Sequence, residues 1–179
     1  MSFERKVRLA RLPEMRLAYM ETAIPANSES GGLAEVNALW DAFNTWRLES
    51  RPALGRIDIA AIGWRLLLAS DSELPAFRAA VPVRSDYSPP PPARTVLFPG
   101  GAFAYCHADD ADEQAEALSA VGRFVEAKGY VPKSGALQLF KFHYNLDQHP
   151  SDCGLLVTLA NGRDPLPAQS DGPLHIARG

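Results

Sequence analysis

Histidine and cysteine are the side chains that most often bind metals or act as nucleophiles, and this sequence has few of them. No two histidines stand four residues apart, as a helical zinc pair requires, and no HExxH motif is present. Two cysteines are too few for a disulfide framework or a four-thiolate site, so we expect two buried thiols, with one bridge between them as the alternative. We therefore predict no metal site and a reduced, cytoplasmic protein. The residues concerned are His107, His143, His149, His175, Cys106 and Cys153.

An acidic run from His107 to Glu113 has the residue types that a carboxylate metal cluster would need. It directly precedes a helical pattern, however, and acids at that place cap the first turn and interact favourably with the helix dipole. The glycine pairs at 31–32 and 100–101 match no phosphate-binding fingerprint, and no GxSxG nucleophile motif occurs. These patterns predict no cofactor and identify no catalytic residue.

The composition excludes several classes of protein. The chain has 179 residues, of which 46% are hydrophobic and 22% charged, which is ordinary for a globular protein. A formal net charge of −3 provides no broad basic surface, so we expect no direct contact with nucleic acid. No apolar run approaches the roughly 20 residues of a membrane span. The N-terminal MSFERKVRL lacks the apolar segment of a signal peptide, and we expect no membrane contact.

An internal repeat divides the chain into two halves. LPEMRLAYMET at residues 12–22 is similar to FPGGAFAYCHA at residues 98–108, so that Pro13 matches Pro99 and Tyr19 matches Tyr105 at one offset. In each half one strand precedes the proline and another follows it. The Pro-Gly-Gly at 99–101 predicts a tight hairpin, because glycine supplies the positive φ of such turns.

A helix follows the second strand in each half, and two more strands follow each helix. The apolar stripes at helical spacing are Leu33, Val36, Trp40 and Phe43 in the first half and Leu118, Val121 and Val125 in the second, where Gly129 ends the helix. The later strands are predicted at 56–64, 76–83, 136–144 and 154–160. Each half thus reads β-β-α-β-β, which predicts an α+β fold with its helices on one face of the sheet.

Strand alternation groups several polar and aromatic side chains on common faces. Glu21 shares a face with Tyr19, and Phe103 shares one with Tyr105. On the last long strands Gln138, Phe140 and Phe142 share a face. We therefore expect several aromatic side chains to meet where the two halves join.

Taken in order, these features resemble the GyrI-like small-molecule-binding domain. The motifs that carry the resemblance, over about residues 6–160, are RLPEMRLAYMET, LWDAFNTW, LPAFRAAVPV, FPGGAFAY and LQLFKFHYNLDQHP followed by GLLVTL. That domain is the effector-binding part of many AraC-type and MerR-type bacterial multidrug regulators. It also occurs alone, in the gyrase-inhibitory protein and in hydrolases of cyclopropane-bearing cytotoxins.

The resemblance implies two pseudo-symmetric modules that share a curved antiparallel sheet, with the ligand in an aromatic-lined cleft between them. We expect a single domain over residues 1–160, with module one at about 6–84, a Pro-rich joint at 88–92, module two at about 93–160 and an irregular tail at 161–179. The ligand-binding residues that follow from the resemblance and the alternation are Tyr19, Glu21, Trp40, Trp64, Tyr105, Gln138, Phe140 and Phe142.

Members of that family often carry a glutamate in an E-x-Y pattern on the third strand of the second module, where it meets cationic ligands. The matching segment here is Gln138-Leu139-Phe140, and a register shift of two places Phe140 and Phe142 at those positions, so neither alignment supplies an acid. A neutral amide does not offset the charge of a buried cation. If cations are bound, Glu21 is the substitute acid that we expect.

We predict a stand-alone protein that binds a small apolar or aromatic ligand, because no helix-turn-helix pattern accompanies the two modules. One alternative is a hydrolase of reactive cyclopropane-type cytotoxins, with Glu21, Tyr105 and Gln138 as the available groups and Glu21 as the catalytic residue. The other is a protein-interaction module of the gyrase-inhibitor type, which would have a protein partner.

Overall fold

A computed structural model of the protein describes residues 5–23, 33–54, 64–68, 76–110, 112–133, 137–142 and 151–166, with the backbone alone described at 33, 51–54, 64–68 and 137–142. The helices are α1 (Leu33–Leu54) and α2 (Gln114–Lys128). The strands are β1 (Arg8–Leu12), β2 (Met15–Ala23), β3 (Trp64–Leu68), β4 (Ala76–Val83), β5 (Arg94–Phe98), β6 (Gly101–Ala108), β7 (Val131–Pro132), β8 (Leu137–Phe142) and β9 (Ser151–Thr158). The predicted α+β class is confirmed.

The described strands form one antiparallel sheet in the order β1-β6-β9-β8-β3-β4-β2-β5, with β7 beside β9. Directly opposed residues form a row that crosses six strands, through Met20, Ala79, Arg65, Phe140, Cys153 and Cys106. At one end of this row Met20 and Ala79 pack beneath α1, and at the other Cys153 and Cys106 pack beneath α2. Opposed residues in a sheet point to the same face. Both helices therefore cover one side of the sheet, and we call the other side the helix-free face.

Helix α1 buries an aromatic stripe against β2 and β4. Phe43 is fully buried between Trp40 and Trp46, with ring centroids at 5.9 and 5.6 Å. The predicted helical spacing therefore produces this core. Tyr87 and Ala93, on either side of the Pro-rich joint, belong to the same buried cluster. The joint is thus anchored on the α1 side at both of its ends.

Helix α2 ends as its sequence predicts, because Gly129 closes it in the left-handed conformation at φ 67°. Its start differs from the prediction, because the N-cap residue is Glu113, whose side chain makes no capping hydrogen bond. Asp110, one of the acids expected to cap the helix, accepts a hydrogen bond from the backbone N–H of Glu113 in the preceding turn. Arg5 joins the start of the chain to this helix through Glu113 at 3.2 Å. The Arg5 guanidinium and the backbone N–H of Asp109 together lower the pKa of the Glu113 carboxyl.

The hairpin predicted at 99–101 is wrong. Strand β5 pairs with β2, and β6 pairs with β1, so each half of the chain gives its first strand to the other half. Leu12 lies opposite Gly101 and Met15 opposite Phe98, so the two short connections, 13–14 and 99–100, lie side by side. Gly100 has φ +65° there, and a Cβ on it would lie 2.6 Å from the carbonyl oxygen of Leu12. Proline and glycine correctly indicated a break between strands, but local turn chemistry does not determine which strands pair.

Other segments agree with the sequence to different degrees. Strand β4 has the predicted bounds, β7 was not predicted, and β9 begins earlier than expected. The predicted strand at 56–64 lies outside the described residues except for Trp64, which begins β3. The described part of the tail packs on the body, where Asp164 pairs with Arg11 at 2.5 Å and Leu166 joins the α2 core. Both cysteines are buried free thiols, as expected.

Candidate functional site

A cluster of aromatic and aliphatic side chains lies on the helix-free face and draws on both halves of the chain. Its buried members are Leu12, Leu17, Tyr19, Ala80, Phe98, Phe103 and Leu156, with the partly buried Met15, Val96 and Tyr105 packed against them. Tyr105 stacks on Phe103 with ring centroids 5.2 Å apart and planes 10° from parallel. The two repeat tyrosines therefore belong to one apolar cluster, and Tyr105 lies at its more accessible margin.

Each tyrosine also lies in a cross-strand row that ends at a charged pair of the other half. The row of Tyr19 continues through Ala80, Trp64 and Lys141 to Asp152 and His107. The row of Tyr105 continues through Gly154, Leu139 and Leu66 to Arg78 and Glu21. The helix-free face thus carries an apolar cluster together with two charged pairs.

The first charged pair joins Glu21 on β2 to Arg78 on β4, which are directly opposed residues. The Arg78 Nε–H donates to the Glu21 carboxylate at 2.5 Å, and the guanidinium carbon lies 4.6 Å from the centroid of the Tyr19 ring. A cation above a tyrosine ring is attracted by its π electrons. The charge of Glu21 is therefore balanced by a neighbouring arginine, so Glu21 is not an unpaired acid that could bind a cationic ligand.

The second charged pair joins His107 on β6 to Asp152 on β9, again directly opposed. The Nδ1 atom of His107 lies 2.9 Å from the Asp152 carboxylate, and its Nε2 lies 3.4 Å from Asp109. The Asp152 side chain is only 10% exposed, whereas that of His107 is 48% exposed. A buried carboxylate on one ring nitrogen fixes the orientation and the tautomer of an imidazole.

The structure brings part of the predicted site together. Tyr19, Glu21 and Tyr105 all lie on the helix-free face, and the backbone of Trp64 lies in the row of Tyr19. Trp40 is a residue of α1 and lies on the other side of the sheet, buried between the helix and the strands with 2% of its surface exposed. A shallow depression borders Trp40 there, lined also by Val36, Leu39, Phe77, Arg78 and Ala79.

Three further predicted residues lie on β8, where the register gives their place. Gln138, Phe140 and Phe142 are opposed to Leu155, Cys153 and Ser151 respectively. Leu155 and Cys153 belong to the core beneath α2. The alternate residues of β8, Leu139 and Lys141, are the ones opposed to Gly154 and Asp152 in the rows of the two tyrosines. The sequence pattern could not show which alternate residues of β8 share the rows of the two tyrosines, because this depends on strand pairing.

The sequence interpretation missed Arg78, His107 and Asp152 as members of this face. Arg78 had a signal, because it is the one charged residue in the otherwise apolar AFRAAVPV of β4. His107 follows Tyr105 by two residues, as Glu21 follows Tyr19, and the repeat could have indicated this correspondence. Asp152 had no local signal, since its role depends on β9 pairing with β6.

Two further features bear on the kind of site. In the part of the chain that the structure describes, no three His, Cys, Asp or Glu side chains are grouped as a metal site would require. None of the described helices has the length and apolar character needed to cross a membrane.

The sequence matches no protein-family model and no curated protein. Solved structures nevertheless share the fold. The chain is similar to the EcmrR C-terminal domain, with a TM-score of 0.63 and 11% identity over 87% of this chain and 98% of that one. It is similar to SAV2435 bound to tetraphenylphosphonium, with a TM-score of 0.60 and 9% identity over 86% and 94%. A hydrolase from Listeria innocua gives 0.51 and 15% identity over 86% and 92%. At these identities the three likenesses establish a common fold.

Proposed function

We propose that this protein is a GyrI-like small-molecule-binding protein whose ligand, with an aromatic or apolar body, lies against the helix-free face. The observation that carries the proposal is the apolar cluster around Tyr19, Phe103 and Tyr105, to which both halves contribute in a fold shared with SAV2435 bound to tetraphenylphosphonium. Ligand sites are mostly apolar, with a few polar groups that fix orientation. The two charged pairs supply such groups.

Thermal unfolding in the presence of aromatic compounds tests this proposal. A ligand present at 100 times its dissociation constant stabilises the folded state by about 2.7 kcal/mol, which is several degrees in Tm for a domain of this size. We expect shifts of that size from neutral or charged bicyclic aromatics. No shift from any compound of a mixed library would contradict the proposal.

A matched pair of variants then locates the site. Tyr105→Ala removes an aromatic wall of the cluster and should weaken binding by about tenfold or more, the usual effect of losing a central aromatic contact. Tyr130→Ala is the control, because Tyr130 is also partly buried but packs on the α2 side against Phe124. Equal loss of affinity in both variants would place the ligand elsewhere.

Hydrolysis is the second candidate function, and the His107–Asp152 pair favours it. An imidazole oriented by a buried carboxylate can take a proton from water as a general base. The pair lies on the same face as Tyr105, and His107 also shares strand β6 with it. Mass spectrometry of the bound compound distinguishes the two functions, since a product heavier by one water, absent with His107→Gln, would identify a hydrolase. A protein partner and a cytoplasmic location stay predictions.

A further inference from the structure

Arg78 is held from two directions on the helix-free face. Its guanidinium lies over the ring of Tyr19, and its Nε–H donates to Glu21. The two contacts use the flat face and the inner edge of the guanidinium. A planar group fixed in this way keeps one orientation, so less entropy is lost when it forms further hydrogen bonds.

The outer end of the same guanidinium is still available. Within the described residues no acceptor lies within hydrogen-bond distance of the two terminal amino groups of Arg78, and its side chain is 22% exposed. Two parallel N–H donors at the end of an arginine match the two oxygens of a carboxylate. The arrangement therefore offers a bidentate anchor beside an apolar surface.

The charges around Tyr19 favour an anion over a cation. Arg94 on β5 is directly opposed to Tyr19 and is exposed, and the described part of the chain contains no acid paired with it. Among the described side chains near Tyr19, two arginines thus accompany one acid, Glu21. A cationic ligand would find one face of the tyrosine ring already covered by Arg78.

From this geometry we infer that Arg78 is the anchor for a carboxylate ligand, and that the ligand carries this group on an aromatic or apolar body. The inference rests on the proposed function and names its ligand class. Glu21 is a positioning residue that holds the Arg78 guanidinium, and the body of the ligand lies against the apolar cluster. The charge preference is thus opposite to that of a cation-binding site.

Three ligands with one body and different charges test the inference directly. We would titrate the full chain with 1-naphthoate, 1-naphthalenemethanol and 1-naphthylmethylammonium by calorimetry. Hydrogen bonds to a charged group correspond to about tenfold to a hundredfold in affinity. We expect 1-naphthoate to bind more tightly than the alcohol by that factor, and the ammonium compound to bind most weakly.

Variants of two arginines assign the preference to its residue. Arg78→Met keeps an unbranched apolar stem, and we expect it to lose the preference for naphthoate and to bind the ammonium compound better, because Glu21 is left without its partner. Arg78→Lys keeps the charge without the planar fork and should retain part of the preference. Arg84→Met is the matched control, since Arg84 lies beyond the end of β4, is exposed and pairs with Asp86. It should bind all three ligands as the wild type does.

The outcomes separate the inference from the proposed function. If the alcohol or the ammonium compound binds the wild type as tightly as naphthoate does, the anchor is excluded while a binding protein remains. If naphthoate is preferred equally by the wild type and both Arg78 variants, another residue is the anchor. If none of the three ligands and no library compound binds, the proposed function fails, and the inference fails with it.

Discussion

The two charged pairs of the helix-free face have the same backbone setting and different chemistry. In each pair one member, Glu21 or His107, follows a tyrosine by two residues, and its partner is the directly opposed residue of the neighbouring strand. In the first pair the arginine lies on the tyrosine ring, and the acid, Glu21, is 38% exposed. In the second pair Asp152 is only 10% exposed, and Tyr105 stacks on Phe103. One strand geometry therefore supports a permanently charged guanidinium in one half and an oriented imidazole in the other.

The residues opposite the two tyrosines sharpen this comparison and carry the largest predicted effect. Ala80 lies opposite Tyr19, whereas Gly154 lies opposite Tyr105. A Cβ at Gly154 would overlap the carbonyl oxygen of Ala104 and lie 2.8 Å from the Cα of Tyr105. We expect Gly154→Ala to push β9 away from β6 and to lower the free energy of unfolding by about 3 kcal/mol or more in urea denaturation.

Gly122 provides the control for this substitution. It lies in α2 and has no atom within 4 Å of its Cβ position, so Gly122→Ala should raise the free energy of unfolding by about 0.5–1 kcal/mol. A Gly154→Ala variant as stable as the wild type would show that β6 and β9 are less closely packed beside Tyr105 than described.

Alkaline pH should also distinguish the two halves, because only the second core contains thiols. Burial raises the pKa of Cys153 from 9.0 to about 11, and that of Cys106 moves in the same direction for the same reason. Between pH 9 and about 11 the unfolded chain has lost the Cys153 proton that the folded chain keeps, so the free energy of unfolding falls as pH rises. The fall from this thiol should amount to about 1–3 kcal/mol.

Urea denaturation at a series of pH values measures this fall. Cys153→Ala should be less stable than the wild type at pH 7 but should show a flatter decline above pH 9. Parallel curves for the variant and the wild type would mean that the Cys153 thiol titrates alike in the folded and unfolded chains.

The acids of the two pairs should differ in their contribution to stability, with the smallest effect in the first half. Asp152→Asn leaves a buried site without its charge and should lower the free energy of unfolding by about 1–3 kcal/mol. Glu21→Gln affects a more exposed pair and should lower it by about 1 kcal/mol or less. Thermal unfolding of both variants at pH 7 checks the order. A larger effect from Glu21→Gln than from Asp152→Asn would contradict this order.

Features that depend on local sequence were predictable, whereas those that depend on pairing were not. The helical stripe through Trp40 and Phe43, the stop at Gly129 and the bounds of β4 all follow from periodicity and from glycine chemistry. The exchange of β1 and β5 between the halves does not follow from them. The same Pro and Gly residues are compatible with a hairpin and with the observed pairing of each first strand with the other half.

The candidate site shows the same division. Alternation correctly grouped Tyr19 with Glu21, since both belong to one strand. It could not reveal that Arg78 neutralises Glu21, or that Gln138 lies opposite Leu155, because each of these relations depends on the register between strands that are distant in sequence. Trp40 belongs to the apolar stripe of α1, and that stripe packs against the sheet on the side opposite the candidate site.

The exchange of first strands between the halves has a consequence for how the chain is made. Among the described strands β1 pairs with β6 alone, so during synthesis its backbone waits for this partner until residues 101–108 have left the ribosome. Pairings between segments so far apart form slowly, because a long loop must close first. Arg8 and Arg11, which interrupt the apolar residues of β1, are the kind of charges that keep a waiting strand from pairing with other chains.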